Sequence, residues 1–203
     1  MNKDFIPDKG SSLPRKFFLQ KTGKVAKQLI GKYIVKKEKD GFLAARIVET
    51  EAYLSEGDLS SHSAPGPTKR NKVMFEKGGV LYVYKIYGIH HCANIICEDE
   101  GKGCGVLLRA VEPVLGIENM KKRRATSDIK KLCKGPGNLA KSFGFTLDDY
   151  GRSVCSRSLF IQNDQEIEEN EILETKRIGI SRSTELPLRY ILKNSRFVSA
   201  RRS

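Results

Sequence analysis

The chain has 203 residues and a mass of 22.8 kDa, enough for one large domain that buries about 70% of the surface its extended form exposes. Hydrophobic residues make up 39% and charged residues 30%, with 18 Gly and 7 Pro, so collagen-like and wholly disordered readings fail on composition. Lys and Arg outnumber Asp and Glu by 37 to 24, a net charge of +13 with an isoelectric point near 9.6, which points to a polyanionic partner.

No stretch approaches the roughly 18 consecutive apolar residues of a membrane span, and Met1-Asn2-Lys3-Asp4 lacks the apolar core of a signal peptide. The expectation is an intracellular protein with no membrane association, cytoplasmic if bacterial and nuclear if eukaryotic. The cysteines at 92, 97, 104, 133 and 155 form no C-x2-C pair and are odd in number, which favours reduced thiols over a disulfide framework.

Residues 1–14 read as a mobile arm, and no Gly-, Ser- or Pro-rich linker divides residues 15–203, so one domain is expected there. A short helix fits Lys21 to Leu29. Tyr33 to Lys37 and Phe42 to Leu54 read as strands joined at Asp40-Gly41, a strong hairpin signal. In the second strand, alternation sends Val48, Thr50, Ala52 and Leu54 to one face and Ile47, Glu49, Glu51 and Tyr53 to the other. Periodicity alone makes that second face an ordinary half-solvated one.

A second strand pair spans Val80 to Cys97 and turns at Tyr87-Gly88, with Tyr82 and Tyr84 on one side. Gly105 to Val111 forms another strand, where Arg109 shares a largely apolar face with Leu107 and Val111 and therefore wants a charged partner. Ile117 to Arg124 suggests a basic helix. Gly135-Pro136-Gly137-Asn138 leads into another short helix whose amides could meet a phosphate. Basic residues crowd Lys121 to Lys134, whereas Asp164 to Glu174 is acidic and reads as a solvated face turned away from any polyanion. The fold class is mixed α/β (α+β), a single compact domain with a largely antiparallel curved sheet flanked by helices.

Adjacent His90 and His91 point to opposite faces of a strand and cannot easily share a metal. Cys92, Cys97 and Cys104 lack zinc-knuckle spacing, so no metal site is expected. The chain shows no P-loop, G-x-G-x-x-G or nucleophile elbow, which leaves nucleotide-cofactor and acyl-transfer chemistry without support.

Several blocks in one order resemble the alkyladenine (3-methyladenine) DNA glycosylase family. They are Arg46 to Leu54, then Asp58 and His62-Ser63, Lys69-Arg70-Asn71 with Met74-Phe75, Leu81 to Gly88, Asn94, and Val106 to Pro113. Looser matches follow at Gly135-Pro136, Arg177-Ile178-Gly179-Ile180 and Pro187-Leu188-Arg189-Tyr190, so the likeness covers about residues 15 to 199. The resemblance implies a cofactor-free monofunctional hydrolase, acting as a monomer on double-stranded DNA, that flips a damaged purine and cleaves its N-glycosidic bond.

By the same resemblance Glu51 is the general base and Arg109 its partner around the attacking water, while Tyr87 fills the vacated stack. Tyr53, His62 and Tyr84 line the base pocket, Asn94 sits at the purine edge, and the carbonyl near Ile180 helps hold the water. Lys69, Arg70, Lys121, Lys122, Arg123, Arg124 and Lys134 are the expected DNA-backbone contacts. Glu49 is not the base; it could be structural, capping or pairing with Arg46.

The chemistry agrees with these roles. A buried base must leave the duplex, at a cost of a few kcal/mol that stacking aromatics and phosphate contacts return. A carboxylate beside the sugar can stabilise an oxocarbenium-like centre and take a proton from water. No lysine lies on the proposed catalytic strand, so a Schiff-base route and strand cleavage are not expected. Two departures, Ser181 where a glycine is expected and His90-His91 where aromatics are frequent, bear on substrate preference. The rivals are a non-catalytic nucleic-acid-binding module, which would need neither Glu51 nor Arg109, and a nucleoside hydrolase, which would need no such charge.

Overall fold

A computed structural model describes residues 5–164 and 166–200. Its helices are α1 (Arg15–Phe18), α2 (Thr22–Gln28), α3 (Ile117–Arg124), α4 (Ile129–Leu132) and α5 (Pro136–Phe143). Its strands are β1 (Tyr33–Glu38), β2 (Gly41–Tyr53), β3 (Leu81–Ile86), β4 (His90–Cys97), β5 (Cys104–Leu115), β6 (Leu159–Gln162), β7 (Ile172–Thr175) and β8 (Arg189–Leu192). Together they form the expected mixed α/β domain, a curved antiparallel sheet flanked by helices. The strand order is β3-β4-β5-β2-β1-β6, with β8 added beside β2 and β7 beside β8.

The long strand β2 organises the sheet. Its first half pairs with β1 through the Asp40-Gly41 turn, its second half pairs with β8, and β5 runs along its other edge. The β2–β5 ladder slips by one residue: Ile47 faces Val111 and Glu49 faces Ala110, whereas Thr50 faces Leu108. Arg109 is left with no residue opposite it, the kind of irregularity that re-aims a side chain. The half-solvated face expected for Glu49 and Glu51 does not occur; both residues are 0% exposed, because Arg109, Arg189, Ser199 and the chain around Ile178 close over their carboxylates.

The core packs Phe18, Val25 and Leu29 against Ile34, Leu43, Val106 and Leu108, and closes on Leu139 and Phe143 from α5. α5 opens on Gly135 (φ 97°) with Pro136 in its first turn and ends on Gly144 (φ 60°), the usual asymmetry of helix starts and stops. Buried Lys36 donates to the carbonyls of Phe143 and Gly144 at 3.1 and 3.0 Å, placing a cation where the helix dipole is negative.

Residues 5–14, the described part of the expected arm, lie along β6. Leu13 is buried and its amide donates to Ile161 O at 2.8 Å, and Phe5 stacks on Tyr33 with ring centroids 4.4 Å apart. The acidic segment is largely exposed, and Lys27 of α2 bridges Glu169 and Glu174 at 3.2 and 3.0 Å; Gln165 lies outside the described residues.

Candidate active site

A cavity of about 640 Å³ opens between the β3–β4 hairpin, the end of β2, β5 and the segment 178–182. Its wall includes Tyr53, His62, Tyr84, Tyr87, Asn94, Arg109 and Ile180, so the structure gathers seven of the residues singled out from sequence. Alternation along the strands explains this. Tyr82 and Tyr84 share a face of β3 and stack at 5.3 Å, and Asn94 stands opposite Tyr82 on β4 and donates to its carbonyl at 3.3 Å.

His62 completes the aromatic wall. Its ring meets Tyr84 edge-on at 4.5 Å, and its Nδ1 lies 3.1 Å from Tyr82 Oη. Burial, aided by the nearby Arg70 charge, pushes the His62 pKa down and so favours neutral imidazole. Burial likewise raises the phenols of Tyr53 and Tyr84, and pushes Tyr82 up to about 12, so all three are neutral at physiological pH.

Glu51 lies directly behind this wall. Its Oε1 accepts from the Ile178 amide at 2.9 Å, and its Oε2 accepts from Tyr53 Oη at 3.0 Å and Arg109 Nη1 at 3.2 Å. All three donors belong to residues that line the cavity. Arg109 continues the chain, donating through Nε to Glu49 Oε1 at 3.1 Å, which also accepts from Arg189 Nε at 2.7 Å and Ser199 Oγ at 2.8 Å. Two carboxylates and two guanidiniums thus alternate, and each buried charge has an opposite one beside it, the condition under which such burial is tolerated.

Glu49 is accordingly structural, but it pairs with Arg109 and Arg189 and not with Arg46, whose Nε meets Gly31 O. Arg109 Nη1 also donates to Ile178 O at 3.4 Å, two residues before Ile180, which lines the cavity itself. Arg189, Asp58 and Arg177 received no role from the sequence, although each lies in a block that was recognised. The signal available was charge: Arg189 sits in an otherwise apolar strand and asks for a partner.

Tyr87 stands at the tip of the β3–β4 hairpin, 85% exposed, with φ 52° followed by Gly88 at φ 71°. A left-handed backbone is costly for a tyrosine, and such strain marks functional segments more often than packing ones. Ile89 beside it is 76% exposed.

The basic residues flank this hairpin. On one side, Lys69, Arg70 and Lys85 line a cavity of about 510 Å³, and Arg70 Nη2 is fixed on Lys85 O at 3.0 Å. On the other, His90 and His91 share a cavity of about 610 Å³ with Arg123, Arg124 and Lys141. Part of the basic segment also serves the fold. Lys121 bonds Glu118 at 2.8 Å, Arg123 bonds Glu38 at 2.7 Å, and Arg124 donates to Leu132 O at 3.0 Å. Lys122 and Lys134 are exposed and make no ion pair among the described residues. Among those residues, too, no group of three or more His, Cys, Asp or Glu could hold a metal ion, and no helix is long and apolar enough to cross a membrane.

Known proteins are similar to this chain in sequence. The family model described as methylpurine-DNA glycosylase (MPG) matches residues 16–196. A curated relative from Methanoculleus marisnigri, named "Putative 3-methyladenine DNA glycosylase", is 45% identical over 193 residues, 94% of this chain and 100% of its own length. Relatives bearing the same name from Chlorobaculum parvum (45% identical, 94% of this chain and 91% of theirs) and Koribacter versatilis (43%, 94% and 94%) agree.

Proposed function

The chain belongs to the methylpurine-DNA glycosylase family, and on that premise we propose that it is a monofunctional glycosylase that turns a damaged purine, alkylated or deaminated, out of duplex DNA and hydrolyses its N-glycosidic bond. The observation that carries the reading is the placement of Glu51. A buried carboxylate lies directly behind the wall of a cavity large enough to admit a base and is held there by three residues that form that wall.

In this reading Tyr87 enters the duplex and takes the place of the purine, whose ring stacks on the Tyr53, His62 and Tyr84 wall. Unstacking costs a few kcal/mol, and a base–aromatic stack together with phosphate contacts returns it. Water then attacks C1′. The C1′–N bond breaks with its electron pair going to the purine, a C1′–O bond forms, and Glu51 takes the water's proton. A purine alkylated at N3 or N7 carries a positive charge before cleavage and departs neutral, whereas a deaminated or etheno base departs with the electron pair and gains a proton from solvent water. Arg109, tied to both acids, holds the carboxylate in one orientation and anchors the segment at Ile178 against it. The products are the free base and an abasic site.

No lysine lines the cavity among the described residues, which supports hydrolysis over a Schiff-base route. Duplexes that each carry one lesion, 3-methyladenine, 7-methylguanine, hypoxanthine or ethenoadenine, test the reading. Strand scission at the lesion is expected only after alkali. Scission without alkali would reveal lyase chemistry, and no scission at any lesion would leave a DNA-binding module.

A further inference from the structure

Asp58 and Arg177 form a bidentate ion pair, Nη1 to Oδ2 at 2.6 Å and Nη2 to Oδ1 at 2.7 Å, with both side chains 0% exposed. Neither side chain reaches the cavity, yet each organises one of the two segments that frame it. Asp58 accepts from the amides of Leu54 at 3.0 Å and Ser60 at 3.1 Å, folding the turn that follows β2. Arg177 donates to Ala52 O at 3.0 Å and Ser183 O at 3.3 Å, which closes the loop carrying Ile178 and Ile180.

Apart from Asp58 and Ser183, the groups beside Arg177 adjoin Glu51 or its partners. The Ile178 amide that bonds Oε1 belongs to the next residue, Ala52 follows Glu51 in β2, and the guanidinium lies 4.6 Å from the centre of the Tyr53 ring whose hydroxyl bonds Oε2. In this orientation Arg177 Nε is buried without a hydrogen-bond partner among the described residues. Leaving a buried donor unpaired carries a cost, which the fork on Asp58 and the contact with the Tyr53 ring offset.

Taking Glu51 as the base, as proposed above, we infer that the Asp58–Arg177 pair is a positioning element of the reaction, setting the Ile178 amide and the Tyr53 hydroxyl on the two oxygens of that carboxylate. The pair does not line the cavity. It acts by holding the base in one orientation, and displacements of the order of 1 Å at a reacting group cost up to about a hundredfold in rate.

Arg177→Lys keeps the charge opposite Asp58 but loses the fork and the flat contact with Tyr53. Its single-turnover excision of an alkylated adenine from duplex DNA should fall about ten- to a hundredfold, while its affinity for the abasic product duplex stays within about twofold of the parent. The deciding measurement repeats the substitution in a Glu51→Gln background. A residue that acts through Glu51 has no further effect there, whereas a merely structural one costs the same factor in both backgrounds. Equal losses in both backgrounds, or a loss confined to product affinity, overturn the inference. If Arg177→Lys does not unfold cooperatively, the double variant Asp58→Asn/Arg177→Met, which leaves no buried charge unpaired, is held to the same two expectations. Full activity of Glu51→Gln alone would instead overturn the base assignment on which the pair's role rests.

Discussion

Asn94 is the single side chain to which the proposed function gives the choice of base. It is 6% exposed, its amide nitrogen is committed to Tyr82 O, and it lines the cavity from the strand returning from the wedge. A side chain held so firmly can hydrogen-bond an accepted purine while crowding the exocyclic amino group of guanine. Asn94→Ser should therefore raise excision of guanine relative to hypoxanthine by about tenfold; matched guanine and hypoxanthine duplexes under single-turnover conditions measure this, and an unchanged ratio would assign selectivity to the aromatic wall. Residues of this kind were legible in the sequence because strand alternation and a recognisable block placed them together. Asp58, Arg177 and Arg189 were not, since a lone charge in a sequence announces that it needs a partner without saying which. Arg189 found Glu49, 140 residues away. Arg189→Met should cost about 3–5 kcal/mol of stability in urea unfolding, because it leaves two buried carboxylates sharing one guanidinium; a loss below about 1 kcal/mol would mean that Arg109 alone compensates both.

Among the elements, β2 shows both the reach and the limit of reading a pattern. Its hairpin with β1 and the alternation that puts Glu49 and Glu51 on one side were both visible in the residues. That both carboxylates are wholly buried was not, because their cover comes from Arg189, Ser199 and the segment at Ile178, far along the chain. The one-residue slip that frees Arg109 from its ladder position was equally invisible, being a property of two strands at once. The β3–β4 hairpin was easier, since an aromatic beside Gly88 at a strand turn is hard to explain as core. Tyr87→Ala should weaken binding to lesion DNA by about 1–3 kcal/mol, the range of one base–aromatic stack. Its melting temperature should stay nearly unchanged, as the side chain is 85% exposed. A large drop in melting temperature would make Tyr87 a packing residue.

Across the whole molecule, the proposed function turns the net charge of +13 into a grip on DNA through the cationic cavities on both sides of the β3–β4 hairpin. The affinity for duplex DNA should fall linearly with salt on logarithmic axes, and Lys122→Ala or Lys134→Ala should each lower that slope by about one unit without altering lesion preference. An unchanged slope in both would put the DNA on another face. Within that frame the account stands on one carboxylate placed behind the wall of the base cavity. Glu51→Gln preserves the shape of the side chain but cannot take a proton from water. Its single-turnover excision of an alkylated purine should drop at least about a hundredfold while lesion-DNA binding persists; excision at the parent rate would contradict the assignment of Glu51 as the base.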